Sequence, residues 1–250
     1  MARRRLDQLL VERGFFPSRE RARRAVMAGV VEVDGRRVDK AGTPIAADAG
    51  LRVVARHEPF ASRAGRKLAG ALDRFGVDPQ GLTCLDVGAS TGGFTDCLLQ
   101  RGAARVYALD VGYGQLDQRL REDPRVVVME RVNARHLAAG DLPEPCDLVT
   151  VDVSFISLLK VVPALIPHLA PGGRLLLLVK PQFEAGRAQV GKGGIVRDEA
   201  VRRRVIAERV AQLEALGLVS LGVCDSPVAG AAGNREAFAL LARAGDRSDG

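Results

Sequence analysis

The segment Leu85-Asp86-Val87-Gly88-Ala89-Ser90-Thr91-Gly92-Gly93-Phe94 constrains this chain more than any other. An apolar run leads into it, glycines break it, and a helical pattern over Phe94–Gln100 follows. Glycine lets the backbone approach a ligand closely, and the start of a helix leaves amides unpaired. Further apolar, strand-like runs recur near 82–87, 105–110, 125–129, 147–153 and 174–180, with helical patterns between several of them. Such alternation argues for an α/β fold, a parallel sheet covered on both faces. Two late runs, near Leu218–Val223 and Ala237–Leu241, predict a closing hairpin-like pair, and only the tail from Ala244 to Gly250 reads as disordered.

Composition excludes several classes. The longest apolar run, Leu175 to Val179, ends at Lys180 and falls far short of the ~20 residues needed to span a bilayer. Arginines at the amino terminus precede no apolar stretch, so no secretory signal is read and a cytoplasmic location is expected. The four cysteines lack the paired spacing of a zinc site or a disulfide framework. Cys84 and Cys146 are expected to be buried thiols. His57, His136 and His168 are dispersed, and no metal site is expected.

Charge divides the chain. Residues 1–58 carry 13 basic against 8 acidic side chains, and residues 59–250 carry 24 against 22. A basic module on a near-neutral body points to a polyanion. Within the module, Leu6, Leu9 and Leu10 mark a helix stopped by Gly14. Ser18 suits the N-cap of a second helix running to about Ala28. Val30–Val33 and Val38 flank Asp34-Gly35 as a hairpin, and a strand is expected near Leu51–Val54. The residues Arg5-Leu6-Asp7, Leu10, Ser18-Arg19, Ala22, Gly29, Val31, Val33 and Gly35 resemble the S4-type RNA-binding domain. That resemblance implies a small α+β domain over 1–58, with residues 59–250 as the second domain and 55–62 as linker. Arg3, Arg4, Arg5, Ser18, Arg19, Arg21, Arg23 and Arg24 are the expected RNA contacts.

In the second domain Ser62 is expected to cap a helix with Leu68, Leu72 and Phe75 as its apolar stripe and Lys67 at its flank. The glycine loop departs from a dinucleotide fingerprint, whose third glycine is replaced here by Ser90. The spacing suits S-adenosylmethionine, held by Asp86, Gly88, Ser90, Thr91, Gly92, Gly93 and Phe94. Asp110, ending the next strand, is placed for the cofactor's ribose hydroxyls, and Asn133 for its adenine edge.

Ligands of a doubly wound sheet sit at the carboxyl ends of its strands. Asp152 and Lys180 end two strands there, and Glu236 joins them if the last strand runs antiparallel. Lys67 covers the crevice from its helix. The chain has 32 arginines and only 5 lysines. A lysine can act as a neutral base, which arginine cannot. Lys180 is therefore expected to take a proton from a ribose 2′-hydroxyl. Asp152 would orient it, Lys67 would keep it neutral, and Glu236 would position Lys67 or the ribose.

These residues resemble the TlyA-type family, historically called haemolysins but acting as ribosomal RNA 2′-O-methyltransferases. The catalytic domain of that family is similar to the FtsJ-type enzymes with a Lys-Asp-Lys-Glu tetrad. The matching motifs are Ser62-Arg63-Ala64-Gly65-Arg66-Lys67-Leu68, Val151-Asp152-Val153-Ser154-Phe155, Lys180-Pro181-Gln182-Phe183-Glu184 and Gly233-Asn234-Arg235-Glu236. The resemblance implies a Rossmann-like S-adenosylmethionine-dependent methyltransferase sheet, catalytic Lys67, Asp152, Lys180 and Glu236, and a cytidine of ribosomal RNA in assembled subunits as substrate. It also implies a mobile loop over Lys192–Asp198. A pore-forming haemolysin would need a membrane-inserting segment, and none is visible. A non-catalytic RNA-binding assembly factor stays open beside the enzyme, and the oligomeric state is not fixed by these residues.

Overall fold

The computed structural model describes residues 3–27, 29–54, 59–186, 189–191, 193–230 and 233–246. Within it, Met1–Glu58 and Pro59–Gly250 are two compact units. The expected linker residues 55–58, the helix end at Ala28, the side chain of Arg24, Lys192 and residues 247–250 lie outside the described set.

The small unit runs β1 (Arg3–Arg5), α1 (Leu6–Glu12), α2 (Arg19–Met27), β2 (Val31–Val33), β3 (Arg36–Arg37), β4 (Pro44–Ala46) and β5 (Leu51–Val53). Leu6, Leu9 and Leu10 of α1 bury against Ala22 and Val26 of α2, with Val31 and Ile45 beneath. The Ser18 hydroxyl accepts from the Arg21 amide at 3.3 Å, satisfying one amide that the helix start leaves open. Asp34 and Gly35 both take positive φ, the geometry of a tight hairpin turn, and β2 pairs antiparallel with β3 and with β5. The sequence reading missed one pairing. Arg3–Arg5 is a strand, antiparallel to β4, with every side chain exposed. No apolar alternation announces such a strand.

The large unit begins with α3 (Ala64–Phe75), ended by Gly76 at φ 62°. Then follow β6 (Thr83–Val87), α4 (Gly93–Gln100), β7 (Arg105–Asp110), α5 (Gln118–Arg121), β8 (Val126–Glu130), β9 (Cys146–Val151) and α6 (Val162–Leu165). The chain closes with β10 (Leu169–Val179), α7 (Pro181–Glu184), α8 (Glu199–Glu214), β11 (Leu218–Asp225) and β12 (Ala237–Arg243). These seven strands form one sheet in the order β11-β12-β10-β9-β6-β7-β8. The β10-β9-β6-β7-β8 part is parallel, whereas β12 lies antiparallel between β10 and β11.

Strand alternation divides the core. Leu175, Leu177 and Val179 face one layer with Leu165, Ile206, Val210 and Leu213. Leu176 and Leu178 face the other, with Leu68, Leu72, Phe94 and Leu98 of α3 and α4. Burial on both faces explains why β10 reads as an unbroken apolar run. Cys84 and Cys146 are buried thiols, and burial pushes both above their ordinary range.

Two expectations need correction. Pro59–Ser62 is not a free linker: Phe60 packs on Gly65 so closely that a Cβ there would meet its ring at 2.4 Å, and the Ala61 amide donates to Asp96 at 2.7 Å. Ala244–Asp246 is not disordered but forms a 3-10 turn, and the Asp246 carboxylate accepts from the Gly172 amide at 3.1 Å.

Candidate active site

The chain steps outward from β6 through β7 to β8 and then returns to place β9 on the other side of β6. That reversal opens a crevice at the carboxyl ends of β6 and β9. Gly88 lines it at φ 85°, where a Cβ would stand 2.4 Å from the Asp152 carbonyl. Only glycine fits there. Ser90 takes φ 49°, where the sequence already departed from a dinucleotide fingerprint. Its amide donates to Asp110 at 2.8 Å, while the Gly112 amide donates to the other Asp110 oxygen at 2.7 Å.

A first cavity of about 540 Å³ is walled by Val87, Gly88, Ser90, Leu109, Asp110 and Asn133 on one side and Asp152–Ile156 on the other. Asn133 spends its side-chain oxygen on the Arg135 amide at 3.1 Å. A smaller cavity of about 190 Å³ touches Gly88, Ser90, Thr91, Gly93 and Phe94 and reaches Asp152 and Lys180. Two predicted loop contacts lie elsewhere. Gly92 backs onto Leu116 and Leu120. Asp86 is fully buried behind the loop, accepting from Thr95 Oγ1 at 2.7 Å and Thr150 Oγ1 at 3.2 Å. Strand parity is the reason: Leu85 and Val87 face one layer, so Asp86 faces the other, toward α4. Burial pushes its carboxyl up to about 7 in spite of the Thr95 hydrogen bond.

A second cavity of about 550 Å³ brings together Lys67, Asp152, Lys180 and Glu236, and shares Asp152, Ser154 and Phe155 with the first. Lys67, from α3, lies 2.5 Å from Glu236 Oε2, and both side chains are almost wholly buried. Lys180 lies 2.5 Å from Asp152 Oδ1 and donates to Ser154 Oγ at 2.9 Å. Asp152 and Lys180 directly follow β9 and β10, and Glu236 directly precedes the antiparallel β12, so all three stand at one sheet edge. Arg202 of α8 fixes this approach from behind, donating to the Arg235 carbonyl at 3.0 Å. Asn234 accepts from the Val196 amide at 3.0 Å and donates to the Gly194 carbonyl at 2.8 Å. The described part of the expected mobile loop is thus pinned beside the site.

The structure adds side chains that the sequence did not single out. Ser154 holds Lys180, and Gln182 donates to Glu236 Oε1 at 3.2 Å. Phe155 is 89% exposed at φ 62°, its ring centroid 4.8 Å from that of Phe183. An exposed aromatic at positive φ leaves no trace in hydrophobic periodicity.

The profile of the FtsJ-like methyltransferase family matches residues 60–243, and that of the S4 domain matches residues 4–49. The chain belongs to the FtsJ-like methyltransferases. Among relatives of this FtsJ-like chain, the "16S/23S rRNA (cytidine-2'-O)-methyltransferase TlyA" of Mycobacterium tuberculosis is 47% identical over 99% of this chain and 93% of its own length. The "Putative rRNA methyltransferase YqxC" of Bacillus subtilis is also 47% identical, over 98% of this chain and 88% of its own. A solved structure, "Putative hemolysin from Streptococcus thermophilus", is 42% identical, with a TM-score of 0.77 over 97% of this chain and 89% of that one. The family match makes the chain an enzyme, and the α/β sheet is its methyltransferase fold. No helix among the described residues is long and apolar enough to cross a membrane.

Proposed function

We propose that this chain methylates the ribose 2′-hydroxyl of a cytidine in ribosomal RNA, in assembled subunits in the cytoplasm, using S-adenosylmethionine. The observation that carries the reading is the meeting of two cavities at Asp152 and Ser154, one walled by the glycine loop and Asp110, the other by two lysine–carboxylate pairs.

The first cavity fits the cofactor by its donor set and by its close backbone approach. Gly88 and Ser90 shape the loop, Asp110 offers carboxylate oxygens to ribose hydroxyls, and Leu109, Val111 and Ile156 supply an apolar wall. Asp152, at the junction, suits a sulfonium cation. Bound there, S-adenosylmethionine supplies an activated methyl group. The chain's own residues then align the acceptor and remove its proton. Orientation of the reacting groups is worth on the order of 7–11 kcal/mol in ideal intramolecular cases. Lys180, in its amine form, receives the 2′-hydroxyl proton at Nζ, held in place by Asp152 and Ser154. Lys67, anchored on Glu236, stabilises negative charge developing on the oxygen. The exposed Phe155 ring at the rim offers a stacking face for an unpaired base.

The test is transfer of labelled methyl to purified 30S and 50S subunits, with Lys180→Ala in parallel. Label that is alkali-stable between nucleotides and absent with the variant is expected. No label on either subunit, with cofactor binding intact, would favour the non-catalytic assembly factor.

A further inference from the structure

Asp7 is a buried carboxylate with an unusual set of partners for a surface domain. Its side chain is 5% exposed, yet both of its cationic partners are more than half exposed, Arg5 at 52% and Arg19 at 56%. Arg5 binds it through two atoms, Nε to Oδ1 and NH2 to Oδ2, each at 3.0 Å. Arg19 NH2 donates to the same Oδ2 at 3.2 Å, and the Gln8 amide donates to Oδ1 at 3.0 Å. Behind the Arg5 guanidinium lies Gly42, where a Cβ would stand 3.3–3.4 Å from its NH1, NH2 and Cζ. Arg5 is therefore fixed on one edge by a carboxylate and on a face by backbone. Both guanidiniums converge on one oxygen. The remaining edges, Arg5 NH1 and Arg19 Nε and NH1, have no protein partner among the described residues.

We propose that Asp7 is a positioning residue for RNA capture: it holds Arg5 and Arg19 as one rigid fork for a backbone phosphate. The proposal rests on the reading that the small unit binds ribosomal RNA. Long arginine side chains lose rotamer freedom when they bind, and a fork ordered in advance has already lost it. Planar guanidiniums suit this arrangement because one edge can grip a carboxylate while another meets a phosphate oxygen. The low pKa of Asp7, held to about 2 chiefly by its Arg5 hydrogen bond, keeps the anchor charged throughout the working range.

Simple electrostatics predicts the opposite sign. Replacing Asp7 by asparagine adds one positive charge, which by itself tightens binding to a polyanion. The experiment measures affinity of the full chain for purified 30S and 50S subunits over a KCl series. Asp7→Asn is expected to weaken binding about tenfold and to flatten the salt slope by about one phosphate. The double variant Asp7→Asn/Arg5→Gln should bind no more weakly than Arg5→Gln alone, because the two act as a unit. Asp7→Asn binding as tightly as the parent or tighter, with Arg5→Gln weakened, would overturn the positioning role and leave RNA binding standing. If Arg5→Gln and Arg19→Gln both bind like the parent, RNA capture by this surface fails, and the positioning role with it. Should Asp7→Asn lose its cooperative melt, Gly42→Ala decides, since it shifts the Arg5 guanidinium and spares the carboxylate. The same weakening supports the fork, and unchanged binding sinks it.

Discussion

The two units handle charge in opposite ways. In the small unit one buried acid, Asp7, holds two exposed arginines. In the large unit Lys67 and Lys180 are each about as buried as the carboxylates they meet, Glu236 and Asp152. The first arrangement keeps cationic surface in contact with water, where it can meet a phosphate backbone. The second withdraws amines from water, where proton transfer and local fields are strongest. Residue type follows the task. A permanently charged guanidinium serves recognition, and a group able to give up its proton serves chemistry.

Exchanging the residue types breaks this contrast most sharply at Lys180. Lys180→Arg keeps the positive charge but removes the proton acceptor, so turnover should fall at least about a hundredfold while S-adenosylmethionine still binds. Single-turnover methyl transfer and calorimetric binding measure the two, and near-normal turnover would eliminate Lys180 as the base. The next effect is on stability. Lys67→Met strands Glu236 in the interior, a cost of about 3–5 kcal/mol for a broken buried pair. Adding Glu236→Gln should restore most of that stability in urea melts without restoring turnover. If the single variant is as stable as the parent, the pair is not held as tightly as its burial indicates. The smallest effect belongs to the exposed side. Arg19→Lys keeps charge but loses the planar fork, and affinity for ribosomal subunits should drop only roughly threefold. A loss as large as that of Lys180→Arg would erase the distinction between the two regions.

Much of the large unit is written in its hydrophobic periodicity. The strands of the sheet announce themselves because each is buried on at least one face, and Leu175–Val179 because it is buried on both. The antiparallel closing strand was legible too, as an apolar run spaced by a turn from its neighbour. What escaped reading was set by contacts rather than by pattern. β1 is three arginines whose strand character comes from its partner β4. β10 begins at Leu169 and runs through Pro171-Gly172-Gly173, a stretch that reads as a turn and coincides with a register shift against β9. Phe60 belongs to the core because Gly65 leaves room for it. At the site, the residue types and strand ends of Lys67, Asp152, Lys180 and Glu236 could be named in advance, but not their pairing. Which lysine meets which carboxylate depends on the entry angle of α3, and no spacing in the sequence encodes that. Asp86 shows the converse error, an acid next to the right loop but on the wrong side of its strand.

The placement of β12 has a consequence for how the molecule is made. It sits inside the sheet, not at its rim, so β11 cannot dock before it and β10 stays an open edge until it arrives. Lys67 meanwhile waits for a partner 169 residues further along the chain. During synthesis the early strands can pair and the glycine loop can form, but the proton-transfer site cannot. Its completion is therefore tied to the last long-range step of folding, and a chain stalled before residue 236 would hold a cofactor crevice without the means to use it.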